Sequence, residues 1–367
     1  MFLAIREMKH AKFKYLLIGL IMVLIAWLVF FVSGLAQGLS SDNASAIQKM
    51  DADYIVLQQD AEHRITRSML TEQQLNDVNQ YVDKKNTEPL GVQMTTVTKG
   101  DAGKKVDVTF FAVNTKGALM PSVVEGKQIN NETKNQVIAD ISLKDEGIAI
   151  GDKVTDEISG QTFTISGFTK NQSFSHAPVI FMNYEAWKAM YESKITKGQL
   201  GFNAIALKAN EDQITSLEDN MANVDVITIN EALKGIPGYS EEQGSLLMMI
   251  VFLFIIAAFV LAVFFYVITI QKMSQFGVLK AIGAKFTYLA KNIISQVILL
   301  SVISLVISIA LTYGISLLLP SSMPFDLSIG LVAGCSGLFL AVAVIGSLLS
   351  LYRVAKVDAV EAIGRAA

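Results

Sequence analysis

Three ionisable side chains, Tyr239, Glu241 and Glu242, come directly before a long apolar run of the sequence. Ionisable groups at the edge of a membrane are candidates for ligand binding, because hydrocarbon makes an unpaired polar group costly. Each of the three also has a structural interpretation. Tyr239 fits an interfacial tyrosine. The two carboxylates fit the first turn of a helix with Ser240 as its N-cap and Gln243 completing a capping box.

The sequence contains no recognisable catalytic motif. It has no Gly-x-x-x-x-Gly-Lys-Ser/Thr phosphate loop, no His-Glu-x-x-His, no paired-cysteine metal spacing and no Gly-x-Ser-x-Gly. Its three histidines, His10, His63 and His176, are far apart in sequence. We interpret His176 as a hydrogen-bonded loop residue rather than a metal or cofactor ligand. These absences argue against an enzyme with its own nucleotide or metal site.

Four apolar runs, at residues 16–35, 244–270, 292–319 and 327–351, are each long enough to cross a membrane as a helix of about 20 residues. The whole chain is 52% hydrophobic. A cleaved signal peptide is the alternative for the first run. That run is longer than a signal-peptide core, and the small residues after it resemble a cleavage site only loosely. We therefore predict an integral membrane protein with four transmembrane helices.

Basic residues mark the side of the membrane on which the connecting segments lie. They form three groups: Arg6, Lys9, Lys12 and Lys14; Lys272, Lys280, Lys285 and Lys291; Arg353, Lys356 and Arg365. The positive-inside rule places all three groups in the cytoplasm. The block at 36–243 is then extracytoplasmic, and its excess of acidic residues argues against nucleic-acid binding. The single cysteine, Cys335, lies in the fourth run, so this outer block has no disulfide.

Strand and helix patterns alternate within the outer block. Segments rich in β-branched and aromatic residues predict strands at 53–58, 92–98, 105–113, 160–169, 177–183 and 202–209. Helical patterns occupy 71–85, 184–194 and 211–222, and a capping box of Thr71 and Gln74 opens the first. We predict a large mixed α/β domain inserted between helices 1 and 2, with residues 38–50 and 228–238 as its two connecting legs.

The loop between the second and third runs, QKMSQFGVLKAIGAKFTYLAK, contains no acidic residue. Its centre predicts a short amphipathic helix with Phe276, Leu279 and Ile282 on one side. Glycines at positions 277 and 283 would allow a partner surface to approach closely. The alternative is a basic helix that lies at the lipid headgroups.

The stretch QFGVLKAIGAK closely resembles the cytoplasmic coupling segment of ABC-transporter permeases of the MacB/FtsX type. LAIREMKHAKFKYLL is similar to the amphipathic N-terminal helix of that family, and RVAKVDAVEAIGRA to its C-terminal signature. GIAIGDKV and FTISGF resemble its outer-domain strands, and the order of one helix, an outer domain and three helices is the same. The chain departs from the family pattern at Ala359, where proline is usual, and at Gln275, where glutamate is common.

The resemblance implies a homodimeric permease in the cell membrane that works with two copies of a cytoplasmic ATPase subunit, which bind ATP and Mg²⁺. The expected organisation is a cytoplasmic helix at 1–15, helices at 16–35, 244–270, 292–319 and 327–351, the outer domain at 36–243, the coupling segment at 271–291, an outer loop at 320–326 and a cytoplasmic tail at 352–367. The residues expected to contact the ATPase are Phe276, Gly277, Leu279, Ala281, Gly283 and Ala284. No bound cofactor is expected.

SHAPVIF, IPGYSEEQG and FFVSGLAQGL resemble the haem-efflux branch of this family and its cyanobacterial glycolipid-exporting relative. This implies haem as the transported ligand, with oxygen or sulfur side chains available to ferric iron and aromatic rings to the porphyrin. The candidate contacts are Tyr239, Glu241, Glu242, Met22, Trp27, Phe31 and Met248. The methionines and aromatic residues also fit ordinary packing or lipid contact. Alternative functions are export of a glycolipid, peptide or antibiotic, lipoprotein extraction, and FtsX-like signalling to a cell-wall partner.

Overall fold

The computed structural model describes residues 12–100, 103–133, 135–191, 201–320 and 323–355. The predicted cytoplasmic helix up to position 11, the predicted helix beyond position 191 and the tail from position 356 lie outside these residues. The chain divides into two compact units, which we describe separately. The membrane unit takes in residues 1–38, 244–320 and 325–367, and the outer unit residues 39–243 and 321–324.

The described residues contain nine α-helices: α1 (Lys12–Gln48), α2 (Glu72–Val78), α3 (Tyr184–Tyr191), α4 (Glu211–Asn220), α5 (Ile229–Lys234), α6 (Tyr239–Gln271), α7 (Met273–Ala281), α8 (Phe286–Ser316) and α9 (Ile329–Ala355). Of these, α1, α6, α8 and α9 are long and apolar enough to cross a membrane. The prediction of four membrane helices is confirmed. Both α1 and α6 continue beyond their apolar runs, α1 by several turns at its C-terminal end.

The described part of the outer unit contains eleven strands: β1 (Tyr54–Gln58), β2 (Thr87–Lys99), β3 (Lys105–Ala112), β4 (Glu125–Gly126), β5 (Gln136–Asp140), β6 (Lys153–Asp156), β7 (Thr162–Thr169), β8 (Ser173–Phe174), β9 (Ala177–Met182), β10 (Ala204–Leu207) and β11 (Val224–Thr228). They form one sheet in the order β11-β1-β10-β2-β3-β9-β5-β7-β4, with β6 on β2 and β7, and β8 on β9. The pairs β3–β9 and β5–β7 are parallel. The predicted mixed α/β domain between the first two membrane helices is confirmed.

Three clusters of buried apolar residues stabilise the outer unit. In the first, the last turns of α1 pack on the sheet through Ala44 and Ile47, both fully buried. In the second, Leu217 of α4 covers the β1–β10 part of the sheet. In the third, Trp187 of α3 packs with buried residues of β3, β5, β7 and β9, and lies over β2 and β3 in the middle of the strand order. A Cβ atom on Gly91 would lie 2.7 Å from the Trp187 ring, so this close packing requires glycine.

The short helices of the outer unit begin at well-formed caps. Thr71 and Gln74 form the predicted capping box at α2. The same arrangement opens α4 with Asn210 and Gln213. These reciprocal hydrogen bonds satisfy backbone N–H groups that a helix start otherwise leaves unpaired, so each cap fixes where its helix begins.

In the membrane unit, α8 packs on α1 through small hydroxyl residues. Ser308 Oγ donates a hydrogen bond to the Val23 carbonyl at 2.9 Å, and Ser304 Oγ makes a longer one to the Gly19 carbonyl at 3.4 Å. Small side chains let two helix backbones approach closely in lipid, where apolar surface alone gives little drive to associate. The α1–α8 contact is therefore specified by side-chain size and hydroxyl bonding.

The junction between α6 and α7 is closed by a buried polar group. Lys272, 7% exposed, donates to Gln296 Oε1 at 2.8 Å and lies over the Tyr15 ring, 5.7 Å from its centroid. The Tyr15 hydroxyl donates to the same Gln296 oxygen at 2.9 Å. These contacts join α1, the α6–α7 junction and α8 at one end of the helix bundle.

Candidate functional site

The start of α6 is fixed by the segment before it. Thr228 and Glu231 form a capping box at α5, and hydrogen bonds from the Thr228 backbone N–H and then its hydroxyl lower the pKa of Glu231. After α5, Gly238 adopts a positive φ of 79°, and its carbonyl accepts a hydrogen bond from the Glu242 N–H at 3.0 Å. Ser240 therefore lies inside the first turn. Its prediction as the N-cap is wrong, because Gly238 occupies that position.

Tyr239 contacts the C-terminal end of α1. Its hydroxyl lies 3.4 Å from Ser40 Oγ and accepts a hydrogen bond from Gln48 Nε2 at 3.3 Å. The side chain packs against the buried cluster that contains Ala44 and Ile47. Tyr239 therefore ties the start of α6 to α1, and a ligand that used its hydroxyl would compete with Gln48.

Glu242 is also held by α1. Its Oε2 atom accepts a hydrogen bond from Asn43 Nδ2 at 2.7 Å and lies 3.5 Å from His176 Nε2. The other ring nitrogen, His176 Nδ1, lies 2.9 Å from Asp42 Oδ2. Carboxylate oxygens of ionised acids only accept, so the imidazole donates to both only when both its nitrogens carry protons. We call Asp42, Asn43, His176 and Glu242 the hairpin clamp.

The clamp places a β-hairpin against α1. Ser175 and His176 form the turn between β8 and β9, and both adopt positive φ angles, 53° and 59°. Left-handed conformations cost a non-glycine residue free energy, so surrounding contacts must hold them. Here the Ser175 N–H donates to the Asn43 carbonyl at 2.6 Å, and the Ser173 N–H donates to Ser45 Oγ at 2.9 Å. The hairpin therefore joins α1 directly and α6 through Glu242.

Glu241 differs from its two neighbours. Its side chain is exposed, and the structure gives it no hydrogen bond or ion pair with the described residues. Tyr239, Glu241 and Glu242 are the three ionisable candidates at the start of α6. Among them, only Glu241 could bind a ligand without first breaking a contact with another described residue. No group of three His, Cys, Asp or Glu within the described ranges has the arrangement of a metal site.

The aromatic candidates in the membrane unit form a row. The ring centroids of Trp27 and Phe31 are 6.1 Å apart, and those of Phe31 and Phe325 are 5.6 Å apart. A Cβ atom on Gly34 would lie 2.6 Å from the Phe325 ring, so glycine at this position lets Phe325 rest on α1. The indole N–H of Trp27 is buried and has no acceptor within the part of the chain that the structure describes. The row presents aromatic surface and, within that part, one donor without an acceptor.

The two methionine candidates have different environments. Met22 is 1% exposed and packs in the core of the membrane unit. Met248 is 60% exposed on α6. A ligand could therefore reach the Met248 sulfur without rearrangement of this chain, whereas contact with Met22 would require α1 and its neighbours to separate.

The predicted coupling segment forms α7 and the turn after it. The Ala284 N–H donates to the Leu279 carbonyl at 3.0 Å across Gly283, whose φ is 96°, which is the hydrogen bond of a Schellman C-cap. No atom lies within 4 Å of a Cβ built on Gly283. This glycine is therefore required by the backbone of the chain itself, in addition to any partner.

The side chains of this segment divide into two groups. Gly277 is buried, and Leu279 packs against the core of the membrane unit. Val278 and Ile282 are 55% and 77% exposed. The side chains of Phe276 and Ala281 lie outside the described residues. Although Leu279 and Ile282 are predicted on one apolar side, the structure turns Leu279 inward and leaves Ile282 outward.

The family described as FtsX-like permease C-terminal matches residues 247–359, and the MacB-like periplasmic core domain matches residues 16–224. Together they cover the membrane helices, the coupling segment and most of the outer domain. The chain belongs to the MacB/FtsX type of ABC-transporter permeases. This permease is thus a transport-system subunit of the ABC type, with a membrane part and an extracytoplasmic domain.

Curated relatives of the permease match over its full length. A protein of Staphylococcus haemolyticus named as the hemin transport system permease HrtB is 34% identical over 99% of both chains. Its namesake in Staphylococcus epidermidis is 32% identical, again over 99% of both chains. Among solved structures, the periplasmic region of MacB from Actinobacillus actinomycetemcomitans gives a TM-score of 0.36 at 13% identity, covering 49% of this chain and 90% of that one.

Two residues of this site, Asp42 and Asn43, lie in the predicted connecting leg at 38–50, and their sequence assigns them no role. In the structure Asn43 donates to Glu242, and Asp42 contacts His176. The polar composition of residues 40–45 on a continuing helix was the available signal, because a polar helix face usually has partners. Val278 lies outside the predicted apolar side of α7, yet it is exposed on Ile282's side of the helix end.

Proposed function

We propose that this permease is the membrane subunit of an ATP-driven exporter that moves haem from the membrane to the outside of the cell. The observation that carries the proposal is the full-length match to the staphylococcal hemin transport permeases. Haem is a flat, largely apolar molecule with two carboxylates, so it partitions into lipid and suits a protein that receives its cargo within the membrane. Termini and coupling segment then face the cytoplasm, in keeping with their basic residues.

Within the outer unit, the proposed haem ligands are Tyr239, Glu241 and Glu242. Glu241 is the first contact, since its carboxylate is exposed and has no partner among the described residues. Tyr239 and Glu242 become available only when their bonds to Gln48 and Asn43 break. Cargo binding at these two residues would therefore loosen α6 from α1, which gives a physical route from haem to conformational change.

Within the membrane unit, aromatic and sulfur contacts are proposed for the porphyrin. Trp27 and Phe31 supply stacked rings, and exposed Met248 supplies a thioether that can ligate iron. Met22 contributes only in a state in which the helices part, because it is buried in this one.

The proposed contact with the ATPase, which supplies the free energy of ATP hydrolysis, is at α7. Two cytoplasmic ATPase subunits, which hold the ATP and Mg²⁺, would each cover the exposed Val278 and Ile282 of one permease copy. Next to α7, α6 is a continuous helix of 33 residues, about 50 Å long, so it can act as a lever. Lys272 anchors the junction to Gln296, which transmits movement of α7 into the bundle.

A second copy of the permease is proposed to pack along α6. Exposed apolar residues recur on this helix at spacings of three and four, which place them on one stripe: Phe252, Ile255, Phe259 and Val263. A stripe of this period is suited to packing against another helix. In the proposed homodimer these side chains pack against the second copy, whereas in a single chain they contact lipid.

The haem proposal is tested by the absorbance of purified permease–ATPase complex. The wild type is expected to show a Soret band after haem addition, and Glu241→Gln is expected to weaken it most, followed by Tyr239→Phe and Glu242→Gln. Glu218→Gln, an exposed glutamate on α4, is the matched control and should leave the band unchanged. Cells that carry the weakened variants should become sensitive to added haem.

Two outcomes would redirect the assignment. If the triple variant of Tyr239, Glu241 and Glu242 retains the full Soret band and haem tolerance, these residues are not ligands. If the wild-type complex binds no haem, the cargo is another amphipathic molecule, or the complex signals to a cell-wall partner in the manner of FtsX.

The coupling proposal is tested separately and without haem. The measurements are ATPase activity and co-purification of the ATPase subunit with the permease. The chain alone should hydrolyse no ATP, and Ile282→Glu should prevent its ATPase partner from co-purifying. Thr287→Glu introduces the same charge at an exposed site five positions away and should be tolerated. Gly283 is a poorer probe, because a side chain there strains the left-handed backbone itself. Normal co-purification of the Ile282 variant would exclude this surface as the docking site.

A further inference from the structure

An apolar groove of about 980 Å³ runs along the membrane unit between α1 and α8. Leu16 and Leu20 line it from α1, and Ile303 and Ile307 line it from α8. The lining residues include one charged side chain, Lys12, and no acidic one. Among the described lining residues the charge therefore lies at one end of the groove, at Lys12, and the rest of the lining is uncharged.

The length of the groove corresponds to one leaflet of a bilayer. On α1 its lining extends from residue 12 to residue 23, which is about 17 Å at 1.5 Å per residue. On α8 it extends from residue 299 to residue 311, about 18 Å. The hydrocarbon core of a bilayer is about 30 Å thick, so the groove spans about half of it. A single acyl chain has this reach.

The walls of the groove are held in place by polar contacts between the two helices. The hydroxyls of Ser304 and Ser308 bond to α1 carbonyls at Gly19 and Val23. A Cβ atom on Gly19 would lie 3.6 Å from Leu300 Cδ1. The absence of a side chain at Gly19 therefore leaves the groove open at this point. The concavity is thus part of the packed structure rather than a gap between loosely associated helices.

The charge at the end of the groove indicates which lipid it accepts. Lys12 is exposed and precedes the apolar lining on α1, so its ammonium group lies where a lipid headgroup would be. A basic residue near a membrane surface attracts anionic lipid by about 1 kcal/mol, which is about a fivefold gain in affinity. No carboxylate among the lining residues opposes this attraction.

We propose that the α1–α8 groove binds one anionic phospholipid of the cytoplasmic leaflet, with an acyl chain along Leu16, Leu20 and Ile307 and the phosphate at Lys12. The leaflet assignment rests on the proposed orientation of the permease. The bound lipid fills the groove beside the α1–α8 contact. It thereby stabilises α1, the helix whose C-terminal end carries Asp42 and Asn43 of the hairpin clamp.

Native mass spectrometry of the delipidated permease–ATPase complex tests this proposal. Phosphatidylglycerol and phosphatidylcholine with identical acyl chains are titrated separately. One phosphatidylglycerol per permease chain is expected to bind more tightly than phosphatidylcholine. Lys12→Gln should weaken phosphatidylglycerol binding about fivefold and leave phosphatidylcholine unchanged. Lys285→Gln removes an exposed lysine that does not line the groove and serves as the matched control.

A second pair of variants tests the groove itself. Ile307→Trp fills it and should weaken both lipids at least tenfold, whereas Ile298→Trp, on the same helix outside the lining, should not. Leu16→Trp fills the groove from α1, should weaken both lipids in the same way, and provides the test if the α8 variant fails to fold.

Equal binding of the two lipids by the wild type, or equal effects of the two lysine variants, would overturn the proposal. It would also be overturned if Ile307→Trp separated permease copies without changing lipid binding, since the groove would then hold a second copy. The Soret band of the same preparations is read independently, so loss of lipid binding with normal haem binding would leave the transport proposal intact.

Discussion

Two membrane helices of this permease, α6 and α8, are both long and apolar enough to cross a membrane, but they are buried to different extents within the chain. The most apolar window of α8 is 44% buried within the chain, whereas that of α6 is 17% buried. On α8 the buried side includes four hydroxyl residues, each at most 1% exposed: Ser301, Ser304, Ser308 and Thr312. On α6, by contrast, Phe252 and Phe259 are 58% and 70% exposed.

This difference shows what holds a helix inside its own chain in a membrane. Lipid tails are as apolar as leucine, so apolar surface by itself does not bring helices together, and small or hydrogen-bonding residues decide the contact. The hydroxyl side of α8 is therefore used within the chain. The aromatic side of α6 remains for lipid, cargo or a second copy, and the predictions below separate the roles of the two helices.

The largest effect is expected from cross-linking along α6. With Cys335 replaced by serine, Phe259→Cys should form a disulfide-linked dimer nearly completely under mild oxidation, while Val306→Cys on the exposed side of α8 should remain monomeric on a non-reducing gel. The reason is that only α6 carries the proposed dimer stripe. If the α8 variant cross-links as well as the α6 variant, α6 is not the dimer surface.

A second comparison uses two phenylalanines of α6 itself. Phe265 is 3% exposed in the membrane core, and Phe259 is 70% exposed. Phe265→Ala should leave a cavity and lower the free energy of unfolding by about 3 kcal/mol, whereas Phe259→Ala should change it by less than about 0.5 kcal/mol. Unfolding of the monomer in mixed detergent micelles measures both. Equal losses would mean that α6 does not present distinct inner and outer sides.

Local patterns predict the long membrane helices and six of the strands, whereas β5 and β11 are not predicted and the helix predicted at 71–85 ends at Val78. Apolar length identifies the four membrane helices, and β-branched segments identify the main strands. The Thr71–Gln74 capping box is correctly predicted because both partners lie within one turn. The extension of α1 to Gln48 is missed, because its last turns are polar on one side and are stabilised by distant strands through Ala44 and Ile47.

The candidate site is less predictable, because its contacts join residues far apart in sequence. Nothing near Glu242 indicates that Asn43 and His176 bind it. Ser240 fits a capping pattern, but the left-handed conformation of Gly238 comes from the chain path before α6 and displaces the cap. The haem and coupling residues remain predictions that the proposed experiments decide.

A third prediction concerns the tight contact between α8 and α1. Ser308 is fully buried, and Ser308→Leu should force the two helices apart and lower the free energy of unfolding by about 2 kcal/mol. Val306→Leu adds bulk at a position that is 61% exposed and should be nearly neutral. Detergent unfolding again provides the measurement. A neutral Ser308→Leu would show that close approach of α8 to α1 is not needed.

The smallest effects should have opposite signs at two serines of α8. Ser308 Oγ bonds to the Val23 carbonyl, so Ser308→Ala should lower the free energy of unfolding by about 0.6 kcal/mol, the usual size of such a bond in a membrane. Ser301 Oγ is buried without a partner among the described residues, so Ser301→Ala removes an unsatisfied hydroxyl and should raise stability by about 0.5 to 1 kcal/mol. Both variants delete the same atom from the same helix, so side-chain volume and helix propensity cancel in their difference. A loss of stability at both positions would mean that Ser301 has a bonding partner in the membrane, and the hydroxyl side of α8 would then make contacts beyond the described residues.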